Sequence, residues 1–254
     1  MSARLATRNT RNSISLKDDV HLTFRRLGLA NIATFAIAAI IALLPEIAHA
    51  HDVAEGDKAY VASVDGPAVF GFLYLGAKHM VTGYDHIFFL IGVVFFLHRL
   101  RDVVIYVSMF TLGHSLTLMG GVLLGTGANS YIVDAIIGLS VVYKGVENIG
   151  GFAKLGLAIN TRLIVFIFGL FHGLGLATKL EDLGVSENGL LTNLVSFNLG
   201  VEIGQVLVLA VVVTLLNMWR NTPSFARGAF SANIALILAG LILTAYQING
   251  YVTS

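Results

Sequence analysis

The sequence predicts an all-α membrane protein: six transmembrane helices after a cleavable signal peptide, or seven if that segment is retained. Three observations predict it. Of the 254 residues, 56% are hydrophobic and only 12% charged, with a mean hydropathy of +0.80. A soluble domain carries about twice that share of charge, which excludes a soluble enzyme. Apolar stretches long enough to cross a bilayer recur from residue 70 onward. Basic residues gather in alternate connections between those stretches.

Residues 1–50 read as a signal peptide or signal anchor. Arg4, Arg8, Arg11, Lys17, Arg25 and Arg26 precede an apolar run from Leu27 to Leu44. Pro45 and the small-residue pattern Ala48-His49-Ala50 follow, which marks a signal-peptidase site before His51. The apolar run exceeds the ~7–15 residues of a usual signal core, so an uncleaved anchor stays open. Residues 51–66 carry four carboxylates against Lys58 and form a short acidic outer-face segment.

Residues 67–254 form the polytopic transmembrane domain, with spans near 70–98, 103–125, 131–152, 162–182, 190–217 and 228–250. The first is the least regular. Its apolar stretch from Phe70 to Met80 is interrupted around Gly83 before Ile87–Leu97 resumes, as a short interfacial helix followed by a span would read. Connections on one side hold Arg99 and Arg101, then Lys154 and Arg162, then Arg220 and Arg227. The other side holds only Lys58 and Lys179, near Glu181, Asp182 and Glu187. The positive-inside rule therefore sets the mature N-terminus and the C-terminus on the outer, periplasmic side of a bacterial-type inner membrane.

The chain has no cysteine, which excludes disulfides, thiolate metal sites and iron–sulfur clusters. Beyond residue 50, ten Lys/Arg face twelve Asp/Glu, a net of −2, so no nucleic-acid partner is expected.

Polar groups inside the spans need a reason, because a charge at mid-bilayer costs ~2.5–3.5 kcal/mol even on the lenient insertion scale. His79, Asp85 and His86 lie in the outer part of the first span, His114 in the second, and Asp134, Lys144 and Glu147 in the third. His172 follows in the fourth, and Asn198, Glu202 and Gln205 in the fifth. Their spread over five helices predicts a shared polar interior. Asn198, Glu202 and Gln205 stand at i, i+4 and i+7, one stripe of a helix; Thr111, His114 and Thr117 form another at i, i+3 and i+6. His79 and His86 would be about 10 Å apart along a straight helix. Either the helix is broken at Gly83, or the two are successive stations on a path.

A parallel helix-pair repeat is also suggested. Phe110–Leu116 (FTLGHSL) resembles Phe168–Leu174 (FGLFHGL), and the histidine-to-glutamate separations, His114 to Glu147 and His172 to Glu202, are 33 and 30 residues. Ordinary packing roles stay open for single residues. A lone buried histidine can bridge helices by hydrogen bonding, Lys144 and Glu147 at i, i+3 can be a structural ion pair, and Asp134 can rest on a helix N-terminus.

The residues His79-Met-Val-Thr-Gly-Tyr-Asp85-His86 match the His-x5-Asp-His motif of the HupE/UreJ membrane proteins. The resemblance extends to Phe110–Leu118, Phe168–Ala177 and Phe197–Gln205, and covers roughly residues 67–250. It implies a secondary transporter taking up nickel or cobalt for hydrogenase and urease maturation. It also implies His79, Asp85, His86 and His172 as metal-site residues. Phe171-His172-Gly173 is followed by Gly175 and Ala177 without the glutamate of the better-studied branch, so the chain is more similar to the second HupE/UreJ branch.

Imidazole and carboxylate without thiolate suit Ni²⁺, Co²⁺, Zn²⁺ or Cu²⁺. The expectation is a metal transporter, not an enzyme. The cation would pass from the acidic outer face to His79, Asp85 and His86, then to a midplane site from His114, His172, Glu147 and Glu202, with Asn148, Asn198 and Gln205 in support. No permanently bound cofactor is expected; the metal is cargo, nickel or cobalt first, with copper, zinc or iron also compatible. Partners are membrane lipid and the cation, with a homo-oligomer or a metalloenzyme complex left open. The alternative is a non-transporting subunit of a metallo- or haem-containing redox complex, with His114 and His172 as haem ligands, or an assembly partner of one.

Overall fold

The computed structural model describes residues 55–125 and 128–254; the signal-like residues 1–50 lie outside them. Among the described residues every regular element is helical, with no strand. Helices α1 (Glu55–Ser63), α2 (Val69–Thr82) and α3 (Tyr84–Val94) precede α4 (Leu100–Leu124) and α5 (Ser130–Asn148). The short α6 (Gly151–Lys154) leads to α7 (Thr161–Asp182), α8 (Leu190–Arg220) and α9 (Pro223–Thr253). The helix starts have local causes. Asn129 and Asn160 cap α5 and α7 by accepting the backbone N–H of Ile132 and Leu163, and Pro223 stands at the first turn of α9. Helix α4 stops at Gly125, whose φ of +62° is left-handed.

Helices α4, α7, α8 and α9 are long and apolar enough to cross a membrane, at 25, 22, 31 and 31 residues. Large apolar side chains such as Leu116, Val206, Val211 and Leu215 stand exposed along α4 and α8, where a lipid surface would cover them. Helix α5 has 19 residues and carries Asp134, Lys144 and Glu147, so it is less apolar. The expected first span is two pieces, α2 and α3, divided at Gly83. The acidic segment contains a helix the sequence reading did not anticipate: α1 buries Val61 and ties Asp57 to Lys78 of α2 at 2.8 Å.

The helices associate in three tight pairs, each through glycines. In α2 and α8 a Cβ at Gly200 would lie 2.0 Å from the Leu73 carbonyl oxygen, and one at Gly76 equally close to that of Phe197. In α4 and α7, Gly113, Gly169 and Gly173 bring the backbones together, and Thr117 Oγ1 donates to the Leu170 carbonyl at 2.6 Å. Gly138 of α5 meets Gly240 and Thr244 of α9. Without a hydrophobic drive between helices in lipid, such close approach supplies the dispersion contact that holds them. The contacts fix directions. Leu73 lies by Gly200 and Met80 by Gly204, so α2 and α8 run parallel; Phe110 lies by Gly169 and Thr117 by Gly173, so α4 and α7 do too. Tyr131 lies by Gly250 and Gly145 by Asn233, so α5 and α9 are antiparallel.

Helix α3 sits among these pairs, touching α2, α4, α5, α8 and α9. Seven of its residues are buried: Asp85, His86, Phe89, Leu90, Gly92, Val93 and Val94. Its last carbonyls would be orphaned in the interior. Arg220, at the end of α8, donates to the carbonyls of Val94, Phe95 and Leu97 and so closes that end.

The two motif copies of the suggested repeat lie against each other in the α4–α7 pair, and α4 touches α8 as α7 touches α5. The likeness ends at their outer partners: α8 packs with a parallel helix and α5 with an antiparallel one.

Candidate metal centre

Gly83 makes the site possible. It caps the end of α2, donating to the His79 carbonyl at 2.9 Å, and its own carbonyl accepts from Ile87 at 3.1 Å in α3. The chain therefore turns between helices while keeping its hydrogen bonds. A Cβ here would lie 2.9 Å from the His79 carbonyl oxygen, 3.1 Å from Asp85 Oδ1 and 3.2 Å from His86 Nδ1. Only glycine leaves that space. The break brings the His79 and His86 rings to a centroid separation of 5.0 Å, about half of what a straight helix would give. The first of the two arrangements open to these histidines is the one found.

His172 joins them from α7, with its ring centroid 4.9 Å from that of His86. Asp85, His86 and His172 each offer a ligand atom, and these atoms all lie within 4.8 Å of one another. All three residues are buried. The hydrogen bonds assign the ring protons. His86 Nδ1 lies 3.0 Å from Asp85 Oδ1, and His172 Nδ1 lies 2.8 Å from the Phe168 carbonyl oxygen. A carbonyl or carboxylate oxygen accepts, so each Nδ1 carries the proton and each Nε2 keeps its lone pair, the tautomer a metal requires. Phe89 and Phe110 wall the imidazoles, with Phe89–His172 and Phe110–His172 centroids at 5.2 and 5.0 Å.

His114 enters from α4, with its ring 5.9 Å from His86. It is 1% exposed, and among the described residues neither ring nitrogen has a hydrogen-bond partner; His86 Nε2 is in the same condition. Each such buried atom costs ~1–3 kcal/mol against a hydrogen-bonded one, so three in one cluster is a poor arrangement for stability alone. A neutral ring keeps one lone pair, so His86 and His114 each have one nitrogen able to meet a cation.

A family model described as HupE / UreJ protein matches residues 55–254. The chain belongs to the HupE/UreJ family. That family is associated with nickel and cobalt transport, is of the transporter type rather than enzymatic, and consists of multi-pass membrane proteins. No curated protein and no solved structure matches the chain.

Other polar residues of this HupE/UreJ chain lie apart from the histidines. Glu147 accepts from Lys144 Nζ and from Thr161 Oγ1 at the start of α7. His172 follows Thr161 by eleven residues, which is about 16 Å along the helix. Glu147 is therefore not brought to the histidine group. Asn148 bonds instead to the Gly92 carbonyl at 2.9 Å and to Asn233 Oδ1 at 2.8 Å. Asp134 pairs with Lys179 at 3.0 Å. Glu202 is exposed on α8, while its stripe-mates are buried: Asn198 accepts from Ser115 at 3.2 Å, and Gln205 Oε1 from Thr111 at 3.1 Å. The buried arc of α8 centres on Val201 and Gly204, where α2 packs, so a residue four beyond Asn198 falls outside it. The reading from sequence did not single out Arg220 as more than a loop cation. No local pattern marks a side chain that caps a helix more than 120 residues earlier.

Proposed function

We propose that this chain is a secondary transporter that takes up a divalent transition-metal cation, nickel or cobalt first, through the Asp85–His86–His172 group. The observation that supports it most is the convergence of ligand atoms from two buried imidazoles and a buried carboxylate within 4.8 Å, with each imidazole's Nδ1 facing an oxygen acceptor. Membership of the HupE/UreJ family narrows the cargo. In this reading α2 with α3 counts as one span, and α4, α5, α7, α8 and α9 complete six. The basic ends face the cytoplasm, and both the mature N-terminus and the C-terminus face the periplasm across the inner membrane.

The acidic α1 region gathers the cation and His79 stands at the rim of the group. Three protein ligands of N and O type hold Ni²⁺ or Co²⁺ while leaving positions open, so binding is firm enough to select and loose enough to release. The sequence contains no nucleotide-binding motif, and the membrane potential is a sufficient drive. At ~2.3 kcal/mol per charge per 100 mV, a divalent ion gains ~4.6 kcal/mol, roughly a thousandfold accumulation.

A haem held between His114 and His172 is disfavoured by packing. The rings of His86 and Phe110 touch both imidazoles, with centroids 4.9–6.1 Å away, and occupy the slot a macrocycle would need.

The test is cell-associated nickel, cobalt, copper, zinc and iron, measured by mass spectrometry in cells carrying wild type or His86→Ala at equal membrane abundance. One metal should accumulate in wild type alone. Equal levels of every metal in the two strains would remove the assignment.

A further inference from the structure

His114 has no task in the three-residue group, yet it is buried beside it, and among the described residues neither ring nitrogen has a hydrogen-bond partner. A histidine kept for packing would use at least one nitrogen on a neighbouring helix. The His114 carbonyl itself lies against Gly173, and Thr117 beside it donates to Leu170. These contacts lock α4 to the helix that carries His172, at the same level. The imidazole is thus held in place by its backbone and left chemically unused.

Its surroundings have a direction. From the group, His114 is reached past His86, the ring it approaches at 5.9 Å. Beside it in the sequence of α4, at Thr111 and Ser115, runs a polar seam between α4 and α8. Ser115 with Asn198 forms the outer step and Thr111 with Gln205 the inner one, three residues or ~4.5 Å toward the basic end from His114. An amide ligates through its oxygen, so Gln205 Oε1, here the acceptor for Thr111, is the atom that would meet the cation at that step.

We infer that His114 is a second station for the metal ion: it receives the cation from the Asp85–His86–His172 group, shares it with His86, and releases it toward the Thr111–Gln205 step. This rests on the transporter reading above and deepens it. The transfer is a ligand exchange. In the transfer a coordinate bond forms from a His114 lone pair as the bonds to His172 and Asp85 break, His86 keeps its bond, and no electron or proton changes hands. Release toward the Thr111–Gln205 step then breaks the bonds to His86 and His114, with water or amide oxygen taking their places.

The test uses the full chain in proteoliposomes under an inside-negative potential, with Co²⁺ as the probe. Equilibrium binding is read from its visible absorption and transport from internal cobalt. His114→Ala and His114→Gln should each bind Co²⁺ with an affinity within about twofold of wild type, and uptake should fall by about tenfold or more, a barrier increase of the order of one decade in rate. Retained binding also reports that the variant is folded. Wild-type uptake in both variants overturns the second station. Loss of equilibrium binding in both also overturns it, by making His114 part of the first site or of the packing. If wild type itself neither binds nor moves cobalt and nickel, the transporter reading fails along with it.

Discussion

Two polar clusters, one half-buried and one buried, lie about 16 Å apart along α7, and they are built on opposite terms. At the basic end, Lys144, Glu147, Thr161, Asn148 and Asn233 bond to one another and to the Gly92 and Ala229 carbonyls. Among the described residues there, the Tyr143 hydroxyl and Arg220 Nε are buried without a hydrogen-bond partner. In the histidine cluster, by contrast, His86 and His114 keep buried nitrogens without a hydrogen-bond partner among the described residues, and aromatic rings pack around them. Both contain ionisable side chains. The first spends its polarity on holding α3, α5, α7 and α9 together. In the proposed reading the second keeps lone pairs for the cation, and it is this difference, not buried charge alone, that separates the two.

Alanine substitutions should separate the two. His86→Ala should reduce metal uptake to background while stability in detergent changes by no more than about 1 kcal/mol, because the relief of an unsatisfied Nε2 is set against the lost hydrogen bond to buried Asp85. A large drop in stability would put His86 with the structural cluster. Gly83→Ala comes next. Its Cβ meets the His79 backbone carbonyl as well as Asp85 and His86, so Co²⁺ affinity should fall about tenfold and stability should fall with it by about 1–3 kcal/mol. Unchanged affinity would mean the break at Gly83 does not set the site.

The structural cluster should answer in stability. Lys144→Met leaves Glu147 with Thr161 alone and should cost about 1–3 kcal/mol, whereas the double change with Glu147→Gln should recover part of that; cobalt affinity should match wild type in both. Weakened binding in Lys144→Met would join the clusters that are separated here. The smallest effect belongs to Glu202→Gln. This side chain is exposed and away from the imidazoles, so equilibrium binding should not change and stability should move by under about 0.5 kcal/mol.

Much of the fold is legible in the sequence because helices are local. The asparagine caps at 129 and 160, Pro223 and Gly125 mark helix ends, and the Gly83 interruption appears as a break in hydropathy. Lys144 and Glu147 at i, i+3 form the ion pair their spacing allows. Partner choice is not local. Nothing in the order of spans says that α4 takes α7 and α2 takes α8. Each pairing rests on where glycines on two distant helices coincide, as Gly113 and Gly169 do.

The candidate site divides the same way. Spacing brings forward Asp85, His86, His114 and His172 as buried polar groups, and the break at Gly83 explains how His79 can approach His86. Glu147 and Glu202 share stripes with polar neighbours, but periodicity tells which residues lie on one face and not how deep that face sits or which way it turns. One lies a half-membrane from the imidazoles, the other on the exposed side of α8.

The central claim is that a cation is held by His86 and His172 together. Nickel K-edge X-ray absorption on the purified, nickel-loaded chain tests it directly. An N/O shell near 2.0–2.2 Å with two imidazole scattering patterns is expected in wild type, falling to one in His172→Ala. A spectrum with two imidazoles in both proteins would contradict the account.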